Sequence, residues 1–131
     1  MESWLTRVAL VDDDESVRRA LGRLLRVDGL TADLFSSAQS FLEGLAADGY
    51  GCVILDIHLG GMSGLDLLER LGTERHRLPV ILITAFDDEA SRERAQAGGA
   101  FAYLRKPIDA GILLETVRKA MGATGRTGPG P

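Results

Sequence analysis

Short apolar runs recur along the chain, each with the length and the β-branched or aromatic content of a strand. They cover residues 8–11, 31–35, 52–55, 80–83 and 101–104. Between them, apolar positions recur with the 3.6-residue period of an amphipathic helix. The pattern therefore predicts five strands that alternate with five helices.

The predicted helices are bounded by capping residues and glycines. Asp14 is expected to cap the first helix, and Ser36 or Ser37 the second, while Gly72 ends the third. The fourth predicted helix is the most polar and covers residues 87–97, and the fifth covers residues 108–121. The other four helices each have an apolar stripe, which is Val17, Leu21, Leu24 and Leu25 in the first, Phe41, Leu42 and Leu45 in the second, Leu65, Leu67, Leu68 and Leu71 in the third, and Leu113, Leu114 and Val117 in the fifth.

Regular alternation of strand and helix indicates an α/β fold. Its expected form is a doubly wound, five-stranded parallel sheet with helices on both faces. Residues 1–121 form the predicted domain. Residues 122–131 are mainly Gly, Thr and Pro without periodicity, so we expect a flexible tail or a truncated linker there. In such folds the functional crevice lies at the carboxyl ends of the strands.

Composition narrows the possible functions. The 131 residues have a net charge of -4, and their fifteen Lys and Arg form no basic block, which argues against direct nucleic-acid binding by this domain. Cys52 is the single cysteine, so an intramolecular disulfide and a cysteine metal cage are excluded. No apolar run reaches the roughly 18 residues of a membrane span, and the first residues lack the order of a signal peptide. We therefore expect a cytoplasmic location and no membrane contact.

Polar side chains follow four of the predicted strands. Asp12 and Asp13 follow the first strand, Asp56 the third, Thr84 the fourth and Lys106 the fifth. Parallel strands end at one edge of their sheet, so these groups are expected to converge. The three carboxylates are hard oxygen ligands that suit Mg²⁺ better than Zn²⁺, and Mg²⁺ sites commonly include a phosphate.

This set of groups favours phosphoryl transfer. A carboxylate beside Mg²⁺ can act as a nucleophile and form an aspartyl phosphate, and Asp56 is the candidate because it stands alone at the centre of the sheet. Lys106 would face the phosphoryl oxygens as a point charge, and Thr84 as a hydroxyl donor. The small Ala85 leaves room for a phosphoryl donor.

Each of these residues has an ordinary interpretation when it is taken alone. The acids after the first strand could cap a helix, and Asp56 could be a turn residue. Thr84 is a normal strand residue, Lys106 a normal surface charge, and Tyr103 could simply pack on the sheet. The right residue types at four strand ends together favour a site.

At these residues the chain resembles the receiver domain of two-component response regulators, over residues 7–121. The resemblance implies a flavodoxin-like strand order of 2-1-3-4-5. It implies that Asp56 is the phosphoacceptor, that Asp13 binds Mg²⁺ directly, and that Asp12 does so directly or through water. The main-chain carbonyl of His58 would be a further ligand. Mn²⁺ is the expected alternative to Mg²⁺.

The resemblance also implies partners and a switch. Thr84 and Lys106 would contact the phosphoryl group, and Tyr103 would be the switch aromatic. A sensor histidine kinase or a histidine phosphotransfer protein would be the donor. The face formed by the fourth helix, fifth strand and fifth helix would change, and could form a homodimer. The sequence style resembles receivers that precede LuxR-type helix-turn-helix domains, although a stand-alone receiver is equally compatible.

The chain departs from the family pattern at Gly60, where receivers commonly carry proline four residues after the phosphoacceptor. Glycine should make that loop looser and the geometry of the metal-binding carbonyl softer. The Lys106–Pro107 peptide bond is often cis in the family, and the sequence alone leaves it open.

Two other functions remain open. A small Mg²⁺-dependent phosphatase or phosphotransferase would share the aspartyl-phosphate chemistry, but the chain offers no second segment long enough for a substrate cap. A flavodoxin-like nucleotide binder would need a Gly-rich or Ser/Thr-rich loop after the first strand, where this chain has acids. We therefore expect a switch that catalyses only its own phosphorylation and dephosphorylation.

Overall fold

Five strands and five helices alternate along the chain, as the pattern predicts. The computed structural model describes residues 7–45, 49–74 and 78–126. The strands pair in parallel in the order β2-β1-β3-β4-β5, which confirms the expected topology. The elements are β1 Arg7–Val11, α1 Glu15–Val27, β2 Thr31–Phe35, α2 Ala38–Leu45, β3 Cys52–Asp56, α3 Gly64–Thr73, β4 Val80–Thr84, α4 Glu89–Ala97, β5 Ala102–Arg105 and α5 Ala110–Arg126.

The sheet is covered on both faces, so its central strands are apolar throughout. Every residue of β3 and of β4 is buried. Alternate strand residues point to opposite faces, and they contribute to two separate cores. One core contains Leu25 of α1 and Leu113 of α5, and the other contains Phe41 of α2, Leu67 of α3 and Ala95 of α4. This arrangement is the doubly wound architecture.

Side-chain caps fix where the helices begin at the functional edge. Asp14 accepts a hydrogen bond from Val17 N at 3.2 Å, as expected for the cap of α1. Ser63 caps α3 in a reciprocal capping box with Asp66. Asp88 caps α4 through Ser91 N at 2.7 Å, so this helix begins at Glu89, two residues later than predicted.

The helices differ in how deeply they are embedded. In α3 five residues are buried, whereas Ala95 is the buried residue of α4. None of the helices in the described ranges is both long and apolar enough to cross a bilayer.

The last helix extends beyond its predicted end. We expected it to end at Met121, with a flexible segment from Gly122, but α5 continues to Arg126. The predicted helix end was therefore wrong, because a glycine in a helix costs only about 1 kcal/mol relative to alanine and does not by itself end the helix. The rest of the predicted tail, residues 127–131, lies outside the described residues.

Candidate functional site

Three carboxylates meet where β1 and β3 end. These strands are neighbours in the sheet, so Asp12, Asp13 and Asp56 are brought together although 43 residues separate Asp13 from Asp56. One carboxylate oxygen from each of the three residues lies within 4.8 Å of the other two. Asp12 and Asp56 are buried, and Asp13 is exposed. The cluster is therefore anchored in the sheet on one side and open to solvent on the other.

Lys106 enters the same cluster from the end of β5. Its Nζ lies 2.9 Å from Asp12 Oδ2 and 3.2 Å from Asp56 Oδ2. The main-chain N–H of Lys106 donates to the carbonyl of Thr84 at 2.8 Å, which fixes the start of this loop against β4. The Lys106–Pro107 bond, which the sequence left open, is cis.

The electrostatics of the cluster indicate a shortage of positive charge. Burial raises the pKa of Asp56, and the Asp12 charge raises it further, against the His58 N–H and the Lys106 ammonium, which lower it. Burial alone would lower the pKa of Lys106, but its contacts with Asp12 and Asp56 outweigh that effect and raise it. Both groups thus favour their protonated forms. A site of this kind gains from an added cation.

Because the pKa of Asp56 is raised, the difference in folding stability between wild type and Asp56→Asn should depend on pH when Mg²⁺ is absent. Below the ordinary pKa of 3.8, Asp56 is protonated in both the folded and the unfolded chain and contributes nothing. As the pH rises, the unfolded chain loses this proton first, so the contribution of Asp56 to folding stability falls until the pH passes the raised pKa. Asp56→Asn is therefore expected to be more stable than wild type at neutral pH, but not below pH 3.8.

Urea denaturation of wild type and Asp56→Asn across this range measures that difference. Glu89→Gln is a suitable control because Glu89 is exposed in the first turn of α4, outside the cluster, and the change also removes one carboxylate. If the difference in unfolding free energy between wild type and Asp56→Asn stays constant with pH, the pKa of Asp56 is not raised in the folded protein.

Thr84 lies beside Asp56, at the buried end of β4, but its hydroxyl is engaged elsewhere. Asp56 pairs with Ile83 in the register of β3 and β4, so Thr84 is one residue further along. Thr84 Oγ1 accepts from Phe86 N and donates to Phe86 O, both at 3.0 Å. The hydroxyl is therefore bonded within the loop between β4 and α4 and is not directed to Asp56.

The loop after β3 is tied to the phosphoacceptor candidate. His58 N–H donates to Asp56 Oδ1 at 3.1 Å, and the His58 ring meets Phe86 edge-on with centroids 5.4 Å apart. Gly64 N–H donates to Ile57 O at 2.9 Å, which brings the start of α3 against the end of β3. A side-chain carbon at Gly64 would overlap the main-chain oxygen of Asp56. Metal binding by the His58 carbonyl stays a prediction.

Tyr103 lies on β5, half-buried, and packs against the core on the α2, α3 and α4 face. It does not join the carboxylate cluster through a hydrogen bond between described residues. The sequence did not single out Arg18, whose guanidinium donates to the main-chain carbonyl of Asp12 at 2.7 Å. It also gave no reason to distinguish Gly64 from the other glycines of its loop.

The donor set fits a hard divalent cation. Asp12, Asp13 and Asp56 offer carboxylate oxygens from two adjacent strand ends, and the described residues around them add no sulfur or imidazole ligand to the group. Oxygen-only ligands in an acidic cluster are typical of Mg²⁺ sites. The Asp cluster could therefore hold a metal ion, in agreement with the expectation from the sequence.

Comparison with known proteins identifies the family. The response regulator receiver domain model matches residues 8–118, which include the carboxylate cluster, Thr84, Tyr103 and Lys106. The chain belongs to the response-regulator receiver domain family. A receiver domain is a signalling switch of two-component systems, in which a histidine kinase is the partner.

Three relatives illustrate the similarity. The C4-dicarboxylate transport transcriptional regulatory protein DctD of Pseudomonas aeruginosa is 37% identical over 116 residues, which are 88% of this chain and 25% of DctD. The transcriptional regulatory protein FixJ of Azorhizobium caulinodans is 33% identical over 121 residues, 92% of this chain and 57% of FixJ. A CheY-like receiver domain from Methanospirillum hungatei shares the fold, with a TM-score of 0.88 at 24% identity, covering 94% of this chain and 98% of its own. The chain thus spans 25% of the length of DctD and 57% of the length of FixJ.

Proposed function

We propose that this receiver accepts a phosphoryl group on Asp56 from a histidine kinase or a histidine phosphotransfer protein, in the cytoplasm. The observation that carries the proposal is the position of the Asp56 carboxylate. It is buried, lies within 4.8 Å of Asp12 and Asp13, and contacts the Lys106 ammonium at 3.2 Å. A nucleophile, a cation site and a fixed positive charge are thereby available at one point.

In the proposed reaction an Asp56 carboxylate oxygen attacks phosphorus. The P–O bond forms as the P–N bond of phosphohistidine breaks, and the electron pair of that bond leaves with the imidazole. Mg²⁺, held by Asp12, Asp13, Asp56 and the His58 carbonyl, would supply positive charge to the phosphoryl oxygens, and Mn²⁺ has suitable chemistry for the same ligands. The Asp56 carboxylate is oriented by two hydrogen bonds, from His58 N–H to Oδ1 and from Lys106 Nζ to Oδ2.

The product is an acyl phosphate, which carries about -1.5 to -2 charge at Asp56 in place of the single charge of the carboxylate. Lys106 is close enough to exchange its carboxylate contacts for phosphoryl oxygens. Thr84 would release the Phe86 main chain and turn its hydroxyl toward the phosphoryl group. Tyr103 would then move toward the space that Thr84 vacates, and the surface of α4, β5 and α5 would change.

The proposed output is transcription, through an effector domain outside this chain. DctD and FixJ are transcriptional regulatory proteins of which this receiver matches only a part. The changed surface of α4, β5 and α5 carries exposed charges of both signs that suit a homodimer contact, namely Arg92, Glu93, Arg94, Arg105 and Arg118. We propose that phosphorylation favours such a dimer, and that this domain does not itself bind nucleic acid.

Incubation with acetyl phosphate and Mg²⁺ tests the proposal. Intact mass is expected to increase by one phosphoryl group, and removal of Mg²⁺ by EDTA is expected to prevent this, because the carboxylate cluster then lacks the cation that offsets its charge. Hydroxylamine should reverse the label, as it does for an acyl phosphate. Sedimentation of the same labelled sample measures the dimer. A label that forms equally well in EDTA would contradict the proposed site.

The same experiment separates the switch from a small phosphatase. We propose that the receiver catalyses only its own phosphorylation and dephosphorylation. Each protein molecule should then release phosphate only at the rate at which its own acyl phosphate hydrolyses. Rapid multiple turnover of a small phosphate ester would instead indicate the phosphatase.

A further inference from the structure

The Asp87 carboxylate, between β4 and α4, contacts groups from two elements. Its Oδ1 lies 3.0 Å from Arg92 Nε on α4, and its Oδ2 lies 3.7 Å from Arg105 Nε at the end of β5. The Asp87 side chain is 17% exposed, in contrast to the two arginines, which are mostly exposed. Asp87 follows Thr84 by three residues, so it connects the phosphorylation site to the α4–β5 surface.

Two buried polar atoms lie at this junction without a well-formed hydrogen bond. Among the described residues, neither Tyr103 Oη nor Asp87 Oδ1 has a hydrogen-bond partner, although Arg92 forms an ion pair with the latter. Burial and the neighbouring Asp87 carboxylate raise the pKa of the Tyr103 phenol. A buried polar atom without a full set of hydrogen bonds raises the free energy of the folded state. A second conformation that gave these two atoms partners would remove that cost.

Space is available for such a second state. A cavity of about 300 Å³ lies between α4 and β5. Tyr103 and Arg92 line it together with three small residues, Ala95, Ala100 and Ala102. The Tyr103 ring, which packs against the core on its other side, therefore has room on its α4 side.

We propose that Asp87 is a positioning residue that holds the β4–α4 loop against β5, beside the Tyr103 phenol, in the resting arrangement. Its ion pairs with Arg92 and Arg105 give way when Thr84 turns toward the phosphoryl group. The inference rests on the proposed function and adds a means of regulating it. The described arrangement is the resting one, since the Thr84 hydroxyl is bonded to Phe86 rather than directed to Asp56.

Contacts that exist only in the resting state shift the equilibrium toward that state and so weaken binding of any ligand that prefers the other state. Removal of those contacts strengthens the binding by the same factor. Loss of the Asp87 carboxylate should therefore increase the affinity of the site for a phosphoryl mimic. Two partly exposed ion pairs correspond to a change of about fivefold. Glu89 offers a matched control, because it is an exposed acid two residues further along, in the first turn of α4.

The test is a titration of wild type, Asp87→Ala, Asp87→Asn and Glu89→Ala with beryllofluoride and Mg²⁺, followed by NMR. Both Asp87 variants are expected to bind the mimic about fivefold more tightly than wild type, and Glu89→Ala within roughly twofold of it. Before the mimic is added, the Thr84 and Tyr103 resonances of the Asp87 variants should already lie part of the way along the line from free to bound wild type. A residue that only maintained the fold would not produce that displacement.

The experiment distinguishes failure of the proposed function from failure of the role of Asp87. If wild type does not bind the mimic, the proposed function is wrong. If wild type binds it but the Asp87 variants bind equally or more weakly, or if their resonances lie off that line, the role of Asp87 is overturned. Asp87→Asn preserves the shape of the side chain, so it decides the matter should Asp87→Ala be unfolded in circular dichroism.

Discussion

Asp56→Asn is expected to show no phosphoryl label after incubation with acetyl phosphate and Mg²⁺. The amide has nearly the shape of the carboxylate, so it retains the end of β3, but it lacks the anionic oxygen that attacks phosphorus. Because Asp12 and Asp13 remain, the loss would identify the nucleophile rather than the metal site. Intact mass at several times measures both the rate and the extent of labelling.

Asp88→Asn is the control for this experiment. It changes an aspartate at the same edge of the sheet, and asparagine is as good an N-cap as aspartate, so α4 should be retained. Labelling of this variant should match wild type. A hydroxylamine-sensitive label that persists in Asp56→Asn would assign the acyl phosphate to another carboxylate, and Asp13 is the exposed candidate.

Gly64→Ala is expected to have the largest effect on stability. The new methyl group would overlap the main-chain oxygen of Asp56 and lie 2.9 Å from Ile57 Cα, and backbone atoms cannot rotate away as a flexible side chain can. Strain of this kind costs about 2–4 kcal/mol. It also displaces the residue that carries the nucleophile. Urea denaturation should show the lost stability, and the rate of labelling by acetyl phosphate should fall in the protein that remains folded.

Gly60→Ala provides the matched control in the same loop. Nothing lies within 4 Å of a side-chain carbon at Gly60, and its backbone is outside the left-handed region. The change should alter stability by less than about 1 kcal/mol, and it restricts the unfolded chain in the same way as Gly64→Ala. Equal losses in the two variants would show that close approach of α3 to Asp56 is not the cause.

The sequence predicted the architecture because the strand-like runs, the helical periodicity and the capping residues all indicated the same alternation of strands and helices. The runs that end before Asp12, Asp56, Thr84 and Lys106 are short and apolar, and a buried parallel strand has that composition. The parallel sheet then brings those side chains to one edge, so convergence required no knowledge of distances. Asp14 was also predictable as a cap, because the Asp side chain matches the free N–H groups of a first helical turn.

Other features depend on contacts between distant segments and leave no local signal. Gly60, Gly61 and Gly64 look alike in the sequence, and only the approach of α3 to β3 makes Gly64 different. Asp87 was expected to begin a helix, but Asp88 caps it instead and leaves Asp87 to face β5. The end of α5 was misjudged because two glycines resemble a stop signal, although the energetic cost of each is small.

Helix α4 buries Ala95, in contrast to α3 with its five buried residues. Apart from Arg92 and Arg94, which form ion pairs, substitutions at the exposed positions of α4 therefore leave the core and its neighbouring elements unaltered. A gene duplicate of this receiver could change its recognition of downstream proteins by drift along that helix, while the carboxylates and Lys106 at the strand ends stayed the same. The fold in this way separates the part of the surface that can diversify from the part that must perform the chemistry.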